Sequence, residues 1–519
     1  MKHVDESRSD VRGPPDNIYN ICVTTNSYPS NAEALLQEKK AARDHIARLE
    51  ATLAMLEAER SRLQGILAKY DIILHPIRHI PSEIMQKIFS SWIDRPNTMV
   101  LAERGGVARP FPQTSLNPSQ VPWVLGHVCR SWRTLTLSTP NIWSSVSLEV
   151  RRQVEDSNAR HLSSHSLRLS LQLNRSQDHP LDVSLYLDCE QSLHPWMVLL
   201  CSRSHQWRYL RLEGNGHDPH LGQIQCFLPA LEILDLDFAP KYSQIDINCF
   251  ERAPRLESLS LTVILPIRLP FRQIKYFRWR EHANQSSTRN EYNSFISSKL
   301  WPVLSSLYAV EICSLEFVNS YHQFASSSLS ALHYKRLRKL ELKSSSSSEI
   351  DVQCLLAKIA TPRLTHLAIW SKLNLTEVST LVDFVGRSAC KLTSLVVYSA
   401  VLTSSNLARI LSVLPELTHL EIGLPTKDDH LLLFFTTPIL VPRLETLCIY
   451  SYPGYKSSYR DDVWLNTLEF RANEQSISRL RLFQLDRKDF TFTEPLSSRK
   501  RLDALIAEGL NFKTVEKLQ

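Results

Sequence analysis

One short phrase, x-Leu-x-x-Leu-x-Leu with other apolar residues at some leucine places, recurs along the second half of this chain. It occurs as PALEILDLDF (229–238), PRLESLSLTV (254–263), KRLRKLELKS (335–344), PRLTHLAIWS (362–371), CKLTSLVVYS (390–399), PELTHLEIGL (415–424) and PRLETLCIYS (442–451), and SISRLRLFQL (476–485) reads as a further copy. The leading leucines, Leu231, Leu256, Leu337, Leu364, Leu392, Leu417 and Leu444, are separated by 25, 81, 27, 28, 25 and 27 residues. The long gap holds three periods, and weak copies are expected near Ile274 and Leu307. A unit this short cannot bury its own apolar face, so the copies must stack on one another. Each then supplies one strand whose leucines point into a shared core. The intervening segment returns the chain, and NLARILSVL (406–414) has the spacing of a returning helix.

The phrase and its period resemble leucine-rich repeats of an irregular kind, since most copies lack the family's usual asparagine after the strand. Period-two geometry turns the residues between the leucines onto the opposite, open face of the sheet. Early copies place Glu213, Asp235, Asp237, Ser260 and Thr262 there, and later ones place Trp370, Tyr398, Tyr450 and Phe483. Those four aromatics form a candidate target-binding platform, because aromatic side chains are enriched among interface anchors. The alternative is that flanking loops cover the rings. The serine run Ser344–Ser348 reads as a mobile loop.

The first half is built differently. Residues 1–31 are polar, with Pro14, Pro15 and Pro29, and read as disordered. Residues 32–70 lack proline and are rich in strong helix formers. Leu35, Ala42, Leu49, Leu56, Leu63 and Tyr70 are seven apart, and Ile46, Leu53 and Leu67 occupy the second seam position, which Lys39 and Arg60 interrupt. The pattern predicts a helix roughly 58 Å long. It is a coiled coil that meets its own copy or another chain, or else a single helix folded back on its own domain.

Pro76 ends that segment, and IRHIPSEIMQKIFSSWID (77–94) follows, with Ile84, Ile88 and Trp92 on one helical stripe and Met85 and Phe89 beside it. After a polar loop, 95–120, a second helix carries Leu125, Val128, Trp132 and Leu135, and Pro140 and Trp143 close the unit. The phrases IPSEIMQKIF and VCRSWRTLTLSTPNIW resemble the F-box in the form common among fungal F-box-like proteins, with Ile80 and Ile142 where leucine is usual. The resemblance covers about residues 77–146. It implies docking to a Skp-type adaptor, and through it to a cullin ubiquitin ligase, with Ile80, Pro81, Ile84, Ile88, Phe89, Val128 and Trp132 forming or supporting the adaptor-binding interface. Ile84, Val128 and Trp132 could instead be internal core.

The expected fold class is therefore α+β and multidomain. It has a disordered tail (1–31), a coiled-coil helix (32–70), a small helical F-box (77–146), a connecting segment that begins the solenoid (147–204), an α/β leucine-rich-repeat solenoid (205–490) and a C-terminal segment (491–519). A chain of 519 residues has room for all of these.

Little else asks for chemistry. Cys129 and His127 are two apart on a helix and face different ways, so they make no dyad. His161 and His165 have metal-ligand spacing without a completing ligand, and KDDH (427–430) looks like a loop. The Gly-rich phosphate-binding motifs are missing, and the net charge of +7 is mild. We expect no catalytic residue, no metal and no cofactor. Neither a nucleic-acid partner nor a membrane span is expected. The ten scattered cysteines suggest reduced thiols in the cytoplasm or nucleus. The resemblances together imply a ubiquitin-ligase substrate receptor that binds an unknown target protein. The alternative is a coiled-coil scaffold acting outside a ligase, with self-association through the heptads.

Overall fold

In a computed structural model of the chain, every full copy of the leucine phrase is a β-strand. The structure describes residues 15–93, 114–151, 159–188, 195–214, 224, 227–238, 248–262, 268–281, 300–318, 330–344, 350–370, 375–398, 403–424, 434–436, 440–451, 461–486 and 495–515, and the statements below concern these. The chain divides into two compact units, 1–85 and 86–519.

The first unit is helical. Helix α1 (Asp16–Thr25) falls in the segment expected to be disordered, and none of its residues is buried. Its apolar residues Ile18, Tyr19 and Cys22 line a shallow cavity with Leu35, which explains local order in a polar stretch. Helix α2 (Ala32–Ile73) runs three residues past the expected end and also buries nothing. Helix α3 (Ser82–Ser91) begins after Pro81, whose carbonyl accepts the first helical bonds from the Ile84 and Met85 amides. The boundary between the two units falls inside α3.

The second unit is built on one sheet. Fourteen strands lie in chain order, each parallel to its neighbours. They are β1 (Ser145–Arg151), β2 (Leu181–Asp188), β3 (Trp207–Gly214), β4 (Ile233–Phe238), β5 (Ser258–Leu261), β6 (Tyr276–Arg280), β7 (Ile312–Phe317), β9 (Lys339–Ser344), β11 (His366–Trp370), β12 (Ser394–Tyr398), β13 (His419–Leu424), β14 (Thr446–Ser451), β15 (Leu482–Asp486) and β16 (Asn511–Val515). Two short strands, β8 (Leu332–His333) and β10 (Ile359–Ala360), pair separately. Such a parallel sheet is compatible with a solenoid. It begins before residue 205, with β1 and β2, and ends after 490, with β16 in the C-terminal segment. The weak copies in the long gap start at Ile274 and Val310. Leu307 is buried three residues early, because the strand takes Cys313 and Leu315 as its inward pair.

The core follows from the register. Leu210, Leu234, Leu259, Phe277, Cys313, Leu340, Leu367, Leu395, Leu420, Leu447 and Phe483 face one another in a continuous buried row. A second row two residues on runs from Leu212 through Trp279 and Ile369 to Leu485. The residue before each strand extends the ladder. The Thr365, Thr393 and Thr418 amides bond the carbonyls of Arg338, Thr365 and Thr393, and their hydroxyls donate to the same three carbonyls at 3.1, 3.2 and 3.0 Å. The Leu-Thr pair of LTHL, LTSL and LTHL thus doubles the inter-strand bonding at one end of the sheet.

Helices carry the chain between strands. Ahead of β1 lie α4 (Leu125–Val128) and α5 (Arg130–Leu137); the helices between strands, among the described residues, are α6 (Ala159–Ser176), α7 (Pro195–Cys201), α8 (Trp301–Ser306), α9 (Ile350–Lys358), α10 (Leu375–Ser388), α11 (Ser404–Ser412), α12 (Asp461–Asn473) and α13 (Pro495–Ala507). The helices between strands bury apolar stripes against the inward leucines, as Leu407, Ile410 and Leu411 of α11 do.

The segment from Gln86 to 146 does not stand apart as a small domain. It belongs to the same compact unit as the sheet, and the packing shows why. The Arg175 guanidinium of α6 lies 4.5 Å over the Trp143 ring and 5.2 Å over Trp123, which meet edge to face at 5.0 Å. Gln172 of α6 donates to the Trp143 and Ser145 carbonyls and accepts from Ser115 Oγ. The Ser115 amide bonds the Ser147 carbonyl and so covers the outer edge of β1.

Candidate interaction surfaces

Two surfaces of the second unit stand out, and the first is formed by its helices between 86 and 137. Phe89 is fully buried, with Trp132 against it edge-on at 4.9 Å and Trp92 at 6.2 Å. Asn141 Nδ2 donates to Ser90 Oγ at 3.1 Å and ties the turn Pro140–Trp143 to α3. Cys129 caps α5, where its sulfur accepts the Trp132 amide at 3.4 Å, and Arg133 Nε donates to the Gly126 carbonyl. That cap gives Cys129 a structural task that the sequence reading left open.

Of the seven residues expected to dock a partner, the structure leaves Pro81, Ile84 and Val128 exposed, Ile84 at 45% and Val128 at 57%. Ile80, Ile88 and Trp132 are half-buried. Phe89 is a correction: its ring fills the interior and has no surface to offer. The side chains facing inward are those that hold the helices together, and a motif match does not separate them from contact residues. The structure adds Trp92, 55% exposed, together with Val124 and Leu137. Trp92 continues the Ile84–Ile88 stripe at four-residue spacing, so its signal was present in the sequence. Leu137 was hidden in a polar helix, RSWRTLTL.

The second surface is the open face of the sheet. Its first half is charged. Arg211 pairs with Glu213 at 2.9 Å and approaches Asp235 at 3.9 Å, Arg280 pairs with Glu316 at 3.3 Å, and Lys339 with Glu341 at 3.0 Å. Burial pushes the Asp235 and Glu213 carboxyls above their ordinary range and draws the Lys343 ammonium down. A small cleft of about 40 Å³ lies where Ser258, Ser260 and Ser314 leave room beside Arg278 and Asp235.

The second half is aromatic. Lys343 Nζ sits 4.6 Å over the Trp370 ring, Trp370 stacks on Tyr398 at 6.3 Å, and Tyr398 stacks on Tyr450 at 5.9 Å. Tyr398 and Tyr450 are two strands apart, with Gly423 of β13 between them in register. A Cβ on Gly423 would fall on Tyr398 Cδ1 and lie 2.8 Å from Cε1, so only glycine lets the two rings meet. The Tyr398 hydroxyl donates to Glu421, and Gln484 donates to the Tyr450 hydroxyl. Burial, and next the Glu421 carboxylate, hold the Tyr398 phenol far above its ordinary value, so it stays protonated as the donor.

The expected aromatic platform is corrected in two ways. Tyr398 and Tyr450 do face the open side, yet they are only 8% and 7% exposed and form a small core of their own with Cys448. Trp370 is half-exposed and remains accessible. Phe483 points the other way: its ring is buried in the main core, stacked on Trp464 at 5.9 Å. Phe483 faces outward if the phrase in 476–485 runs Ile477, Leu480, Leu482; the strand instead takes Leu480, Phe483 and Leu485, and this odd shift reverses the face.

The remaining candidates stay apart. His165 stands 5.8 Å from the Trp196 ring, while the His161 side chain and 427–430 lie outside the described residues. Among the described residues no group of three or more His, Cys, Asp or Glu is placed to hold a metal. Burial pushes the thiols of Cys201 and Cys313 up to about 11 and about 12, which suits packing rather than nucleophilic work. No helix among the described residues is long and apolar enough to cross a membrane. No protein-family model matches this sequence, and no curated protein matches it.

Proposed function

We propose that this chain is a substrate-recognition subunit of a Skp–cullin–F-box ubiquitin ligase, doing no bond chemistry itself. Its helices at 77–146 act as an F-box that docks a Skp-type adaptor, and its sheet acts as a leucine-rich-repeat surface that holds a target protein. The observation that carries this reading is the apolar surface left on those helices. Val128, Trp92 and Leu137 are exposed, although inward partners such as Phe89, Ile142 and Trp143 complete the interior, and on the α3 turn before them Ile84 is exposed as well. Large apolar side chains in that position mark a partner site. The target would meet the charged strands β3–β9 and Trp370. Holding a target beside the transfer machinery raises its effective concentration, and that would be the whole physical contribution.

The test is a pull-down of the full chain with a purified Skp-type adaptor. Val128→Asp and Ile84→Asp should each weaken binding at least tenfold while circular dichroism stays unchanged. Unaltered adaptor affinity in both folded variants would remove the proposed interface. Trp132→Ala is a poorer probe, because it also unpacks Phe89. A second reading, a scaffold acting outside a ligase, is favoured by the long exposed α2. It would gain if the adaptor-bound complex failed to recruit cullin.

A further inference from the structure

Helix α2 is the longest element described, and nothing on it is buried. Leu35 has α1 beside it, but Ile46, Leu49, Leu53, Leu56, Leu63 and Leu67 are all exposed. With Arg60 between Leu56 and Leu63 they alternate at three- and four-residue spacing, which is the seam of a two-stranded coiled coil. A helix draws most of its stability from the packing of such a stripe, so a cover is expected.

The seam's two charged residues say which cover fits. If two copies paired parallel and in register, Lys39 would meet Lys39 and Arg60 would meet Arg60 inside the seam. Like charges brought together and desolvated oppose association. An antiparallel register removes both contacts. We propose that α2 pairs antiparallel with α2 of a second copy of this chain, with Arg60 facing Ala42 and Lys39 facing Leu63.

Ala42 is the smallest seam residue, and opposite it the long arginine finds room to lie along the groove and reach water with its head. The same register sets Ile46 against Leu56 and Leu49 against Leu53, leaving the central layers wholly aliphatic. On the flanks it brings Arg43 beside Glu57 and His45 beside Glu59 of the second copy. One like-charge contact remains, Glu50 with its own counterpart, at an exposed position where water screens it. The pairing is independent of the adaptor reading, and its failure would leave that reading untouched.

Light scattering on the full chain at micromolar concentration should give about twice 59.6 kDa. Leu49→Arg with Leu53→Arg should return it to a monomer with its sheet signal intact. Arg43→Glu should weaken the dimer several-fold, and adding Glu57→Arg should restore it. Under mild oxidation a Leu49→Cys chain should link to a Leu53→Cys chain, with the bond located by peptide mass mapping. A monomer at 59.6 kDa, or a helix covered only by a different protein, would overturn the proposal. Rescue by Glu38→Arg instead, or self-linking of Leu53→Cys chains, would overturn the orientation.

Discussion

At the scale of single residues, Gly423 carries more than its size suggests. Its backbone is ordinary strand, so its use is the absence of a side chain where the Tyr398 ring crosses β13 to reach Tyr450. Gly423→Ala should cost about 1–3 kcal/mol as the ring is forced out of its stack. Chemical denaturation would measure this. Combining the change with Tyr398→Ala should cost less than the two single effects added, because the clash partner is gone. Strict additivity would mean that the rings do not touch across the glycine. The facing of Trp370, Tyr398 and Tyr450 was legible from alternation alone. Their burial was not, because it depends on the neighbouring strands and on Gly423, which alternation cannot weigh.

At the scale of elements, a strand's direction of view depends on one residue of register. The SISRLRLFQL segment holds four apolar residues within six positions, Leu480, Leu482, Phe483 and Leu485, so two readings compete. The larger Phe483 wins the interior, where it meets Trp464 and Phe512. Phe483→Ala should therefore cost about 3–5 kcal/mol. Gln484→Ala, one place on, should cost about 1 kcal/mol, the worth of its bond to Tyr450. Urea titrations of the two variants would compare them, and equal costs would contradict the register. The same lesson explains why the strict leucine phrase does not extend to the front of the sheet. Trp207-x-x-Leu210-x-Leu212 and Trp143-x-x-Val146-x-Leu148 meet the phrase once tryptophan and valine are accepted at leucine places. What the core selects is apolar volume at three positions, and leucine is only its commonest form. The long helix α2 and the leucine strands were legible because their periods repeat many times. Helix α1 was missed because ten residues carry too few repeats of any period.

At the scale of the whole sheet, stability is a chain of nearest-neighbour terms, since each strand bonds only the strands before and after it. The two ends are treated unequally. The Ser115 amide bonds the outer edge of β1, whereas among the described residues β16 pairs with β15 alone and exposes Asn511, Lys513 and Thr514. Hydrogen exchange followed by mass spectrometry should find the β16 amides exchanging roughly tenfold or more faster than those of β12 and β13. Equal protection would mean that something else closes the far edge. The order of the strands also bears on how the protein is made. On a ribosome, each strand of the fourteen after the first finds the strand it must join already in place. The sheet can lengthen at the pace of synthesis, with its newest leucine rows exposed only until the next unit arrives.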